Sequence, residues 1–266
     1  MKFSILKMKP VLALVLLLVP VLTGCGAAYL PTPTVTPVPP PTATSIPLGQ
    51  QVTLVSADFK ESQTTTPAYK ITGQTPQLQG SNDPRVTAFN TSMQNLTQTE
   101  VDAFKKNMQD VIVIPEVPNS SFIFQYNLAS PSGSNIISIK FTFEGFTSGA
   151  AHPYHYIKTV NYDLEKGQEL TLDQVFSAGT DYLQIISDYC KTQLSRRDIG
   201  FEGFASGADP TPENYQNWNV TADGLLIAFN EYQVAPYAAG LQTVVVPYSE
   251  LAQVIQQPGP LTPFLP

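Results

Sequence analysis

Apolar and polar positions along this chain follow two periods. From Gln51 to Lys60 and from Pro67 to Leu78 they alternate, as in a strand with one covered face, and the polar ESQTTT segment between them predicts a turn. Asp83 followed by Pro84 then fits a helix N-cap with proline at the first helical position. Val86, Phe89, Met93, Leu96, Glu100, Phe104 and Met108 recur at helical spacing, with Thr97 as the place for a kink. One amphipathic helix packed on a sheet is expected.

Alternation returns further on. Ser121 to Ala129 and Asn135 to Phe146 are aromatic and β-branched, and Ser130-Pro131-Ser132-Gly133 between them predicts a hairpin. Tyr154 to Glu165 reads as another strand, turned by Lys166-Gly167. Thr171 is placed to cap a short helix through Phe176, and Asp181 to open a longer one with Leu183, Ile186, Cys190 and Leu194 on one stripe. Trp218 to Val220 and Leu225 to Asn230 flank the turn Ala222-Asp223-Gly224. Leu241 to Tyr248 supplies a closing strand, with a small helix from Ser249. Clustered strands joined by hairpins, with helices between the clusters, predict an α+β fold with a largely antiparallel sheet and packed helices.

The N-terminus breaks this pattern. Lys2, Lys7 and Lys9 precede an apolar run from Val11 to Leu22, which is an export signal over residues 1–24. Pro10 and Pro20 bracket a run shorter than the ~20 residues that a spanning helix needs. Leu22-Thr23-Gly24-Cys25 resembles the lipobox of bacterial lipoproteins, which implies cleavage before Cys25 and a lipid on its sulfur. The expected location is the bacterial cell membrane, lipid-anchored and exposed outside the cytoplasm. Residues 25–49 are dominated by Pro, Thr, Ala and Val and favour extended polyproline II, so they read as a stiff tether. Globular composition runs from about Gln50 to Gln257, followed by a tail at 258–266.

Charge narrows the partners. The formal net charge is −7 and only 13% of residues are charged. There is no basic stripe, which argues against nucleic acid. An acidic surface favours a cationic protein partner, although solubility alone also accounts for it. Once Cys25 is lipidated, Cys190 stands alone, so no internal disulfide is expected and packing must supply stability. Cys190 itself reads as a small buried hydrophobe.

The two histidines, His152 and His155, are the obvious candidates for chemistry. A catalytic zinc needs three protein ligands and an open position, so carboxylates would have to complete the set, and no metal or other cofactor is expected. If Tyr154 to Glu165 is a strand, Tyr154, Tyr156 and Lys158 share one face while His155, Ile157 and Thr159 share the other. His152 lies beyond Pro153, and in extended chain the imidazoles diverge unless the chain turns sharply. A hydrolase would use His152 as general base beside Glu144, Asp163 or Glu231. Ser148 and Ser206 sit near glycines but lack the G-x-S-x-G elbow.

Three stretches carry a family resemblance: Gly149-Ala150-Ala151-His152-Pro153, then YDLEKGQELTLDQVF, then LLIAFNEYQVAPYAAGLQTVVVPYSEL. In this order they resemble the PdaC/RsiV-like domain, found outside the membrane in lysozyme-sensing anti-sigma factors and ahead of the catalytic domain of some peptidoglycan deacetylases. The resemblance implies a C-terminal subdomain at 148–257, preceded by a partner α+β subdomain at 50–147. It implies a lipid-anchored binding module of the cell envelope, with His152, Tyr154, His155 and Tyr237 as ligand-binding residues. A lysozyme-like protein or peptidoglycan is the expected partner. No deacetylase domain follows Tyr248 and no cytoplasmic segment precedes the anchor, so a non-enzymatic role is expected. An envelope-polymer hydrolase, a deacetylase accessory protein and a structural lipoprotein without ligand stand as alternatives.

Overall fold

The computed structural model describes residues 46–109, 111 and 117–265. The export signal, Cys25 and the tether up to residue 45 lie outside the described residues. The first described element is a single helical turn, α1 (Leu48–Gln51). It is seated on a distant loop: Gly49 N–H donates to Asn135 Oδ1 at 2.9 Å, and Asn135 Nδ2 donates to Glu165 Oε1 at 2.7 Å. A side chain at position 49 would sit 2.1 Å from the Ser134 carbonyl oxygen, so glycine is required there.

Strands β1 (Thr53–Gln63) and β2 (Tyr69–Gln79) form the first hairpin, and α2 (Pro84–Asn107) follows. Asp83 caps α2 by accepting from Arg85 N–H at 2.9 Å, with Pro84 in the first turn as expected. The helix runs unbroken through Thr97. That hydroxyl donates to Met93 O at 3.1 Å and meets Thr75 Oγ1 at 3.0 Å, so the polar interruption is an internal hydrogen bond to the sheet.

Strands β3 (Ser120–Leu128), β4 (Ile136–Phe146), β5 (Tyr154–Asp163) and the short β6 (Gln168–Glu169) complete a six-stranded sheet in the order β1-β2-β3-β4-β5-β6. Every pairing is antiparallel except β2 with β3. A parallel pair needs a long crossover, and α2 lies in that connection. Phe89 and Met93 of α2 share a core with Ile139, Phe141 and Phe143 of β4 and with Val160 and Tyr162 of β5. Phe143 is fully buried and stacks on Phe122, Phe141 and Tyr156, with ring centroids 4.8–5.8 Å apart.

The alternate residues of β4 and β5 meet a second layer. Strands β7 (Trp218–Val220), β8 (Gly224–Phe229) and β9 (Gln242–Pro247) form a three-stranded antiparallel sheet. It is backed by α3 (Tyr182–Leu194), whose Ile186, Cys190 and Leu194 have no exposed surface, and followed by α4 (Tyr248–Leu251). Burial pushes the Cys190 thiol up to about 12, the state of a packing residue and not of a nucleophile.

A polar seam joins the layers. Ser138 Oγ donates to Asn161 Oδ1 at 2.6 Å, and Asn161 Nδ2 donates to Trp218 O at 2.8 Å. Asn219 Nδ2 donates to Ser138 Oγ at 2.9 Å and to Ile139 O at 3.0 Å, while Val220 N–H reaches Ser138 Oγ at 3.0 Å. All three side chains are buried. Across the expected boundary at 147/148, β5 pairs with β4 from Ile136↔Asp163 to Gly145↔Tyr154, so both subdomains contribute strands to one sheet.

Candidate functional site

The loops at 147–153 and 230–241 come together at the end of β4 and β5, where Glu144 stands opposite His155. Strand alternation turns His155 towards the second layer, where Glu231 holds it twice. The His155 backbone N–H donates to Glu231 Oε2 at 3.0 Å, and ring Nδ1 lies 2.8 Å from Oε1. A carboxylate only accepts, so Nδ1 carries the proton. Nε2 then faces Glu144, 3.6 Å away. The neighbouring Asn230 Oδ1 accepts from Ile157 N–H at 2.7 Å. Asn230 and Glu231 thus satisfy edge amides of β5 that a further strand would otherwise take.

Next in the chain, Tyr232 has φ 64°, the one positive-φ residue other than glycine among the described residues, and is 56% exposed. Its ring lies 6.0 Å from that of Tyr237, which in turn packs 4.0 Å from His152 and 6.4 Å from His155. Tyr237 Oη donates to Pro153 O at 2.8 Å. Its phenol is pushed up by desolvation and then by the charge of Glu231.

Of the four candidate binding residues, His152, His155 and Tyr237 are brought together. Bends at Ala151 and His152 supply the sharp turn that the strand pattern lacks, so the imidazoles converge on one tyrosine. Tyr154 does not join them. It occupies the opposite face of β5, stacked 6.2 Å from Tyr156 and lying over Gly145, where any side chain would collide with its ring at 2.1 Å. Burial pushes its phenol up, with the Glu100 charge second. The expected acid/base pairing also changes hands, because it is His155, not His152, that meets Glu144 and Glu231. Asp163 is spent at the far end of β5, accepting from Glu165 N–H at 2.9 Å and Lys166 N–H at 3.2 Å.

Among the described residues no three His, Cys, Asp or Glu side chains converge as metal ligands would, and no hydroxyl or thiol side chain is hydrogen-bonded to either histidine. Ser148 engages through its backbone, donating to Ser120 Oγ at 2.9 Å. The arrangement is an anionic, ring-lined surface around a polarised imidazole. Tyr232 and Asn230 were not among the expected site residues, and a tyrosine at positive φ leaves no mark in sequence.

Residues 173–249 match the family described as Protein of unknown function (DUF3298). The immunogenic protein MPT64 of Mycobacterium tuberculosis is 32% identical over 108 residues, 41% of this chain and 47% of that protein. The peptidoglycan-N-acetylmuramic acid deacetylase PdaC of Bacillus subtilis is 25% identical over 172 residues, 64% of this chain and 36% of that protein. An esterase of Mycobacterium tuberculosis is 30% identical over 125 residues, 46% of this chain and 52% of that protein. The chain thus spans about half or less of the length of these relatives. A crystal structure of a DUF3298 family member from Bacteroides fragilis superposes with TM-score 0.60 at 17% identity, covering 79% of this chain and 95% of that one. These likenesses support a PdaC/RsiV-like domain in a cell-envelope context, with the α+β fold described above. Among the described residues no helix is long and apolar enough to cross a membrane.

Proposed function

We propose that this chain, which carries a PdaC/RsiV-like domain, is a binding module of the bacterial cell envelope. It faces outward, is held at the membrane by lipid on Cys25, and offers its Tyr232–Tyr237–His152 surface to a cationic, lysozyme-like protein. One observation carries this reading: Tyr232 is kept in a left-handed conformation that costs a non-glycine residue roughly 1–2 kcal/mol, and its ring stands in solvent. Strain that buries nothing is explained by a partner. Tyrosine anchors are typical of binding hot spots, and the exposed Glu144 carboxylate suits a positive surface.

Purified protein is titrated with lysozymes at low and moderate salt. Saturable binding is expected, with an association rate that falls as salt rises, and Tyr237→Ala weakens it about tenfold while the melting curve is unchanged. Cys25→Ser releases the protein from the membrane fraction, and retention of the processed variant counts against the anchor.

A second reading has its own support. His155 between Glu231 and Glu144 has the make-up of an acid/base group, and two of the relatives are named as a deacetylase and an esterase. Turnover of an acetylated glycan or an ester that His155→Ala abolishes, with no lysozyme binding, replaces the binding reading with this one.

A further inference from the structure

A second concavity, separate from the tyrosine surface, opens beside β5. Its volume is about 420 Å³, and Thr159, Leu170, Asp173, Tyr182, Gln216 and Trp218 stand in its walls. That volume falls within the roughly 300–1,000 Å³ of small-molecule sites.

The polar groups converging on it are unusual. Because β4 and β5 are antiparallel, His155, Ile157, Thr159 and Asn161 turn their backbone groups away from β4. Glu231 takes the His155 N–H, Asn230 takes the Ile157 N–H, and Leu170 N–H donates to Asn161 O at 2.7 Å. Thr159 lies between these caps, and among the described residues nothing pairs with its N–H and C=O, which present a donor and an acceptor side by side. Trp218 is 4% exposed, and its indole N–H has no acceptor among the described residues. The only fully buried side-chain polar atom lacking a partner there is Asn219 Oδ1, so the indole nitrogen keeps an opening, and the cleft is what Trp218 lines. Tyr182 lines the cleft and is held in place by Phe176, stacked on one face of its ring at 4.3 Å.

We infer that this cleft is a saccharide site that takes a short stretch of envelope glycan. Neighbouring hydroxyls of a sugar ring supply the acceptor and donor that Thr159 lacks, its C–H face lies on Tyr182, and Asp173 and Gln216 receive further hydroxyls. An added peptide strand fits less well, because Asn230, Glu231 and Leu170 close the β5 edge on both sides of Thr159. Anionic ligands are disfavoured, since Glu169 and Asp173 line the cleft and no lysine or arginine does. The choice of an envelope glycan rests on the cell-envelope reading above, whereas the saccharide chemistry stands on the cleft alone.

Trp218 is the sole tryptophan of the chain, so its fluorescence reports this site and no other. Purified protein is titrated with tri-N-acetylchitotriose, with cellotriose and with an extended pentapeptide. The expected result is a saturable change in emission with the amino-sugar trimer, weakened about tenfold by Gln216→Ala and by Tyr182→Ala and untouched by Tyr237→Ala. Gln216 is exposed, so its variant keeps the test decisive if Tyr182→Ala unfolds. Equal response to cellotriose supports a saccharide site and removes the amino-sugar source. Absence of any response to both sugars, binding of the peptide alone, or binding indifferent to both cleft variants overturns the inference. Lysozyme binding without sugar binding leaves the proposed protein-binding function standing while this inference falls, and sugar binding without lysozyme binding does the reverse.

Discussion

The two faces of β4 and β5 are made from alternate residues of the same strands, yet they are held by different physics. Towards α2 lie Phe141, Phe143, Tyr156 and Val160, packed as rings and methyls with Phe89 and Met93. Towards the three-stranded sheet lie Ser138, His155, Thr159 and Asn161, which hold their neighbours through directed hydrogen bonds. Apolar packing is non-directional and tolerates no vacancy, whereas hydrogen bonds fix register and leave donors and acceptors that a ligand is able to use. Function belongs with the directed bonds: both candidate surfaces are built around residues of the polar face, His155 in one and Thr159 in the other.

The largest expected effect lies on the aromatic face. Phe143→Ala should cost about 3–5 kcal/mol in urea denaturation, the range for deleting a fully buried phenylalanine. A cost comparable with that of a surface change would break the contrast. On the polar face, Asn161→Ala leaves Trp218 O and the buried Ser138 hydroxyl short of partners and should cost about 2–3 kcal/mol. The same variant should speed hydrogen exchange of the β7–β9 amides ahead of those in β3 and β4, which sharpens the claim that directed bonds hold the layers together. The smallest effect has the opposite sign. Tyr232→Gly relieves the positive φ and should gain up to about 1 kcal/mol in the same assay, while lysozyme binding weakens.

Much of the aromatic face was legible in the chain. Asp83-Pro84 marked the start of α2, the Ser130–Gly133 turn marked the β3–β4 hairpin, and period-two alternation put His155 and Tyr154 on opposite faces of β5. These are local signals, each carried by a few adjacent residues. What stayed hidden is non-local. Nothing near Ile71 or Phe122 announces that β2 and β3 run parallel, since that depends on where α2 returns the chain. The meeting of His155 with Glu231, 76 residues apart, depends on the second layer closing over β5. Thr159 is an ordinary strand residue by composition, and it gains meaning only because its neighbours are capped and it is not.

The seating of α1 on Asn135 has a mechanical consequence. Asn135 adjoins the end of β4 where Ile136 faces Asp163, while Glu144 and His155 mark the other end, eight residues away, about 27 Å at the rise of a strand. Any pull arriving through Ile46 and Pro47 enters the fold at that heel. The tyrosine surface lies at the toe, so the length of β4 separates it from the place where the described chain enters the fold.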